Sequence, residues 1–552
     1  MPNRIQLAIL ALAAVFLFGL FSPEIYDTDF WWHLRTGQYV VETRALPAPD
    51  PFAWTTAGAK DAYIGEARTR QFNLTHEWLA QAMLYGTWRS SGFAGVVAMR
   101  ALSMTAVCGL IAWLAWRRRK SFLGGVAAAL AASSVLVTLA LDRPYQVTFL
   151  FLAITLVVLE DRRPLWLLPP LFLIWANCHG GYFLGWVVLG AHCAESLLRR
   201  QRSGRLWIVS AACVLVSAAN PNGFGIFRTL LDYRQSFLQS KLLEWTPPPL
   251  WPLSWFSAML IACAAVMAWQ WRKVRPADWL IFVAFGAASL SAQRNVFLTA
   301  LIAPVVIATY LPWKLRLPAA ATWVAPLLIA AGLVAGVDRG AFFHFRVAEW
   351  RFPAGAADFL LRHRVTGRMF NTYEYGGYLM WRLWPQQRVF IDGRALSETV
   401  FQDYARILYN HDESDGLPSG ETLLDGHGIE VIVMNTFEPS GGTIYLLAPS
   451  LADPNQARWK LVYQDAQSLI FMRKPPPDVA PLNSLDVFNH METECDLHIA
   501  REPQYPLCAR SLGQVFSRLG DFSRARKWVG VYLTHPHAPD PQAEEAWQKL
   551  GG

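Results

Sequence analysis

Charge is what this 552-residue sequence has least of. Only 16% of its residues are Asp, Glu, Lys or Arg, against about 25% in ordinary soluble domains. With 53% hydrophobic residues and a mean hydropathy of +0.23, that shortage excludes an ordinary soluble protein and indicates a multi-pass membrane chain. Cysteine is scarce too. The 7 cysteines show no metal-ligand spacing, and five lie in or beside apolar runs. Cys495 and Cys508 fall in polar sequence, where one disulfide could form. No Gly-rich phosphate loop is evident, which argues against a soluble nucleotide-sugar enzyme. No small-x-small cleavage site precedes Ser22-Pro23-Glu24, so the first apolar run reads as an uncleaved anchor. The net charge of +8 does not indicate nucleic acid, because the basic residues sit in short clusters between apolar runs.

What the chain does have is apolar runs. Spans are expected at 4–21, 95–116, 122–141, 145–159, 165–178, 181–198, 206–219, 254–270, 278–292, 296–311 and 319–337. Several are shorter than the ~20 residues of a straight crossing. Arg117 to Lys120, Arg162-Arg163, Arg199 to Arg205, Arg272 to Arg275 and Lys314-Leu315-Arg316 all fall on one side of this count. The positive-inside rule makes that side cytoplasmic. About 11 transmembrane helices then leave the N-terminus inside and the C-terminal part outside.

That count sorts the polar motifs onto the opposite, external side. They are Asp27-Thr28-Asp29, Thr75-His76-Glu77-Trp78, Asp142-Arg143-Pro144-Tyr145, Asn177-Cys178-His179-Gly180-Gly181, Asn220-Pro221-Asn222-Gly223 and Gln293-Arg294-Asn295. Asp27 to Gly37 is the densest of them, with Phe30, Trp31 and Trp32 beside His33 and Arg35. Its plain reading is an aromatic belt at the membrane interface. Its sharper reading is part of an active site, because acids at a membrane edge are costly without a function. The long first external loop, 22–94, carries two amphipathic stretches suited to the interface.

The composition changes near residue 340. Strands are expected at 368–371, 378–382, 388–392, 430–434, 460–464 and 468–472, with helices at 354–364 and 400–409. The expected domains are 1–340 (transmembrane), 341–474 (a small extracytoplasmic α/β domain) and 475–552, a helical tail whose spacing resembles one tetratricopeptide pair.

The order and sidedness of DTDFWWHLRTG, HEWL, DRPY, NCHGG, NPNG, GGYLMWRLWP and RVFIDGR resemble the GT-C superfamily of integral membrane glycosyltransferases, over roughly residues 4–400. The resemblance implies a polytopic α-helical enzyme of a bacterial inner (cytoplasmic) membrane. It would move a sugar from a polyprenyl phosphate or diphosphate to a glycan, lipid or protein acceptor outside the cytoplasm, with inversion. It implies Asp29 or Asp27 as general base, Asp29 being favoured. Guanidinium chemistry suits Arg143 and Arg294 to the donor phosphate. His33, Trp32, His76, Glu77, His179 and Asn220 are candidates for substrate binding. A divalent metal (Mg or Mn) is allowed by the resemblance, and the tail could hold a protein partner. Competing readings are a non-catalytic membrane assembly protein and a transporter of lipid-linked glycan. A transporter would gather polar groups near the bilayer midplane and often shows inverted repeats; neither is evident in the sequence.

Overall fold

A computed structural model describes residues 4–161, 164–201, 203–238, 242–311, 324–414 and 416–552. The expectations at Arg162-Arg163, at Lys314-Leu315-Arg316 and for 319–323 lie outside the described residues. The chain divides into two compact units. One comprises Met1–Ala48 and Tyr63–Val347, the other Pro49–Ala62 and Ala348–Gly552. Residues 49–62, expected in the first external loop, therefore group with the C-terminal half, where the expected α/β domain and tail form one unit.

The first unit is helical. Its helices are α1 (Arg4–Leu20), α2 (Phe30–Thr43), α3 (Glu66–Thr75), α4 (Trp78–Arg119), α5 (Phe122–Leu136), α6 (Tyr145–Asp161), α7 (Leu168–Cys178) and α8 (Tyr182–Leu198). They continue as α9 (Gly204–Val216), α10 (Ile226–Asp232), α11 (Trp255–Trp269), α12 (Pro276–Ser291), α13 (Val296–Tyr310) and α14 (Val324–Asp338). Among the described residues, three helical stretches are long and apolar enough to cross a membrane: Glu66–Arg119, Phe122–Leu139 and Gln293–Tyr310. Seven further apolar helices are shorter. One of them, α8, with 17 residues, is about 26 Å long at ~1.5 Å per residue, close to the ~30 Å of bilayer hydrocarbon. Within α4, Gly92 at φ 62° breaks the helical backbone. The expected span 95–116 is therefore only the second half of a longer element.

At one end of this bundle, charges pair between helices. Arg118 meets Glu160 at 2.9 Å and Asp278 at 3.1 Å. Arg275 meets Glu160 at 3.1 Å and Glu195 at 2.9 Å, and the Tyr310 hydroxyl donates to Asp278 at 2.6 Å. This network joins the ends of α4, α6 and α8 to α12 and α13. The polar motifs of the sequence lie at the opposite ends of the same helices.

The second unit holds α15 (Ala354–Arg362), β1 (Arg368–Asn371), α16 (Tyr373–Leu383), α17 (Glu398–Leu408), α18 (Gly420–Gly426), β2 (Ile429–Met434), α19 (Leu447–Leu451), β3 (Lys460–Gln464) and β4 (Leu469–Met472). Then come α20 (Asp486–Arg501), α21 (Leu507–Arg518), α22 (Phe522–Thr534) and α23 (Pro541–Lys549). The sheet order is β1-β2-β4-β3, parallel between β1 and β2 and antiparallel elsewhere. Phe370, Ile432, Phe471 and Leu461 from the sheet share one core with Leu512, Phe516 and Trp528 of the tail. A lone helix pair cannot bury its own face, and here α20 packs on it, with Phe488 against Phe516 and the Trp528 indole donating to Glu492 at 2.7 Å. Cys495 and Cys508 are disulfide-bonded, with Cα atoms 5.8 Å apart.

Two expected strands are not strands. Residues 378–382 lie in α16, whose buried side includes Tyr375, Tyr378, Leu379 and Leu383. Residues 388–392 are extended, but among the described residues only Val389 finds a distant backbone partner, its N–H and carbonyl pairing with Phe52 and Trp54 at 3.1 and 3.2 Å; a side chain matches the next two residues. Asn371 donates to the Ile391 carbonyl and accepts from the Phe390 N–H, both at 2.8 Å. One bridge pairs Val389 with Ala53.

Candidate active site

Asp27 and Asp29 lie in the turn that leads into α2. Asp27 Oδ1 accepts the Asp29 N–H at 3.2 Å, which fixes the turn. Arg143, from the short loop before α6, docks on both acids. Its Nε and Nη2 grip Asp27 at 2.6 and 2.7 Å, and its Nη1 lies 2.8 Å from Asp29. Such a two-pronged guanidinium–carboxylate pair strongly favours the charged form of the acid. Burial pushes the Asp27 carboxyl up, but Arg143 and the Asp29 N–H outweigh it and hold Asp27 below its ordinary value. Asp29 has a weaker share of the same cation. Burial drives it up to about 7, with Asp27 and Glu244 adding to the rise and Arg143 opposing it. Two acids separated by a single residue are thus pushed in opposite directions.

A second arginine completes the cluster from the far side. Glu244, in the turn Leu243–Trp245, is 3.2 Å from Arg294 and 3.7 Å from Arg143. Arg294 also lies over the Trp245 ring, 4.5 Å from its centre. Sequence reasoning missed Glu244. Its signal was a single acid among Leu242, Leu243 and Trp245, just before Pro247-Pro248-Pro249.

Beside these charges, three imidazoles surround Glu77 at the start of α4. Its carboxylate is 3.3 Å from His76, 3.6 Å from His33 and 3.7 Å from His179. The His76 Nδ1–H donates to the Phe72 carbonyl at 2.9 Å. His179 Nδ1 receives the Gly181 N–H at 3.1 Å and faces Thr148 Oγ1 at 2.8 Å. That leaves its other nitrogen, carrying the proton, aimed at Glu77. Gly181 makes this possible, because a Cβ there would sit 2.9 Å from the His179 ring and 2.6 Å from Thr148. Burial holds His33 down at about 4 and His179 at about 3, so both rings are neutral at pH 7. His33 lies one helical turn beyond Asp29 and feels both Glu77 and Arg143, so the two groups form one polar neighbourhood.

The remaining candidates are placed by local contacts, Trp32 lying beside His33 with ring centres 3.5 Å apart. Phe30, Trp31 and Trp32 are 0%, 3% and 8% exposed. They pack inward, the first two against Phe93, rather than forming an aromatic belt. Asn220 uses its carboxamide within its own turn, donating to Ser217 and Gly223 and accepting from Asn222. Asp142 pairs with Arg100, a buried arginine of α4 whose other nitrogens donate to the Phe21 and Pro23 carbonyls. In the second unit, Asp392 and Arg394 are buried in a triad with Asp50, at 2.6 and 3.0 Å. That triad binds segment 49–62 to its unit. Among the described residues, no group of three or more His, Cys, Asp or Glu side chains is arranged to hold a metal ion, and Arg143 takes up the facing oxygens of Asp27 and Asp29.

Neither a family model nor a curated protein matches the chain by sequence. Its structure does have relatives. The archaeal oligosaccharyltransferase AglB from Archaeoglobus fulgidus, solved with an inhibitory peptide and a dolichol-phosphate, superposes with a TM-score of 0.55 at 9% identity, covering 96% of this chain and 86% of that one. An apo oligosaccharyltransferase from the same organism gives 0.53 at 10% identity, covering 90% and 78%. ArnT from Cupriavidus metallidurans in the apo state gives 0.42 at 13% identity, covering 85% and 97%. The chain therefore has the fold of these archaeal oligosaccharyltransferases.

Proposed function

We propose that this protein is a glycosyltransferase that takes a sugar from a polyprenyl-linked phosphate donor at the extracytoplasmic face of a bacterial cytoplasmic membrane. The observation that carries the proposal is the pairing of Asp29, poised near neutrality, with two arginines at the same end of the helices. Glycosyl transfer needs a base for the acceptor hydroxyl and a cation for the departing phosphate. Asp29 takes the acceptor proton as the new bond forms between the acceptor oxygen and the anomeric carbon. The bond from that carbon to the phosphate oxygen breaks on the opposite face, and its electron pair leaves with the lipid phosphate. A single displacement of this kind inverts the anomeric centre.

Arg294 and the Nη1 edge of Arg143 receive the leaving phosphate, while Asp27 holds the remainder of Arg143 in place. His33, His76 and His179 around Glu77 offer hydrogen-bonding edges to sugar hydroxyls. The polyprenyl nature of the donor draws support from the dolichol-phosphate in the AglB structure. The external orientation draws support from the basic clusters at the other ends of the helices. The test is mass spectrometry of cell-envelope glycans from a deletion strain. A sugar should disappear on deletion, return with the wild-type gene, and stay absent with Asp29→Asn. Full restoration by Asp29→Asn would refute the proposal.

A further inference from the structure

Arg143 and Arg294 are bridged by a carboxylate of the chain itself. One oxygen of Glu244 lies 3.2 Å from Arg294 Nη1 and the other 3.7 Å from Arg143 Nη1. A carboxylate with one oxygen toward each of two guanidinium groups stands where paired arginines can hold a phosphate. The remainder of Arg143 is committed, since Nε and Nη2 grip Asp27. Arg143 Nη1 also meets Asp29 at 2.8 Å, so an incoming anion can be received on its second N–H and on the Nη1 of Arg294, and Glu244 faces both.

Glu244 is also the member of the cluster able to leave. Its side chain is 41% exposed, against 4% for Asp27. Its backbone turn is anchored separately, by Gln293 N–H to the Thr246 carbonyl at 2.9 Å and by Gln293 Nε2 to Thr246 Oγ1 at 3.1 Å. The side chain can swing on its own rotatable bonds while that turn stays docked. Charge supplies the reason to swing. Asp27, Asp29 and Glu244 already face only two guanidinium groups, so a phosphate arriving with Glu244 in place would set two anions on the same nitrogens.

We propose that Glu244 is a place-holder. Its carboxylate occupies the subsite for the donor's phosphate between Arg143 and Arg294 and withdraws when the phosphate enters. The lipid identity of that phosphate rests on the function proposed above; the exchange of one anion for another rests on the geometry alone. The test is equilibrium binding of undecaprenyl phosphate to the full-length protein in phosphatidylcholine nanodiscs. Glu244→Gln should tighten binding about fivefold or more, the internal competitor being gone, and Arg294→Gln should weaken it about tenfold. Glu24→Gln, which makes the same change in net charge at the Arg346 pair, should leave binding unchanged.

If Glu244→Gln is unchanged or weaker while Arg294→Gln still weakens, the place-holder is refuted and the proposed function stands. An equal gain with Glu24→Gln also refutes it, because net charge would then suffice. If the wild type binds no undecaprenyl phosphate, both fail. Inorganic phosphate distinguishes the source of the anion. It should bind at least a hundredfold more weakly than the lipid; equal affinity would refute a lipid headgroup site.

Discussion

Asp27 and Asp29 are separated by one threonine, yet their carboxyl groups do different jobs because they hold different parts of one guanidinium. Asp27 grips it with two bonds and stays ionised. Asp29 touches it with one oxygen and titrates near 7. A base acts in its deprotonated form, so the transfer rate should rise with pH through about 7 and level off above. Asp29→Asn should lower the rate by about 10²–10⁴-fold and abolish that rise, as a pH series of initial rates with a lipid-linked donor would reveal. Asp27→Asn removes a charge that raises Asp29 and leaves Arg143 freer to lower it. Whatever transfer survives in that variant should show its midpoint moved to lower pH, and an upward shift would contradict the assigned roles. The acids, the histidines and both arginines were legible from residue type and sidedness. Glu244 was not, because its partners come from loops about 50 and 100 residues away on either side, and only folding brings them together.

At the scale of elements, α4 carries much of the organisation. Glu77 is its N-cap residue and its last turn supplies Arg118. Arg100, 2% exposed, ties it to Asp142 and to the backbone at Phe21 and Pro23. Removing one member of a buried pair strands the other, so Arg100→Met should cost about 3–5 kcal/mol. Combining it with Asp142→Leu should recover much of that loss, because no buried charge then lacks a partner. Thermal unfolding in detergent would measure both. Where α2 crosses α4, Gly37 permits the contact, since a Cβ there would fall 2.0 Å from the Gln81 carbonyl oxygen. Gly37→Ala should push the helices apart, shift His33 away from Glu77, and lower activity more than stability. Apolar runs were readable because their length and composition are local properties. The segment 388–392 was misread because β-rich composition reports an extended backbone, not what pairs with it. Here the partners are the Asn371 side chain and a single bridge to residues 52–54. Residues 378–382 were misread because aromatic β-formers on one face of a helix look like a strand over five residues.

At the scale of the whole chain, the segment 49–62 returns to a unit made almost entirely of residues beyond 347. Arg394 holds it there through Asp50. Arg394→Ala should cost about 3–5 kcal/mol and expose 49–62 to limited proteolysis; resistance equal to wild type would contradict the role given to the triad. If the C-terminal unit lies outside the cytoplasm, Cys495 and Cys508 should be recovered as a disulfide from cells, and the five free cysteines as thiols. Alkylation before and after reduction, followed by mass spectrometry, checks this, and free thiols at 495 and 508 would place the unit in the cytoplasm.

The shared ownership of 49–62 also sets an order of events during synthesis. Asp50 emerges from the ribosome 344 residues before its partner Arg394. At about 5–20 residues per second, that interval lasts roughly 17–70 seconds. For that time a carboxylate destined for burial waits unpaired while the membrane helices are being inserted. The C-terminal unit is therefore the last part of the chain able to reach its native state, and a nascent chain stopped anywhere before residue 394 keeps its first loop unclosed.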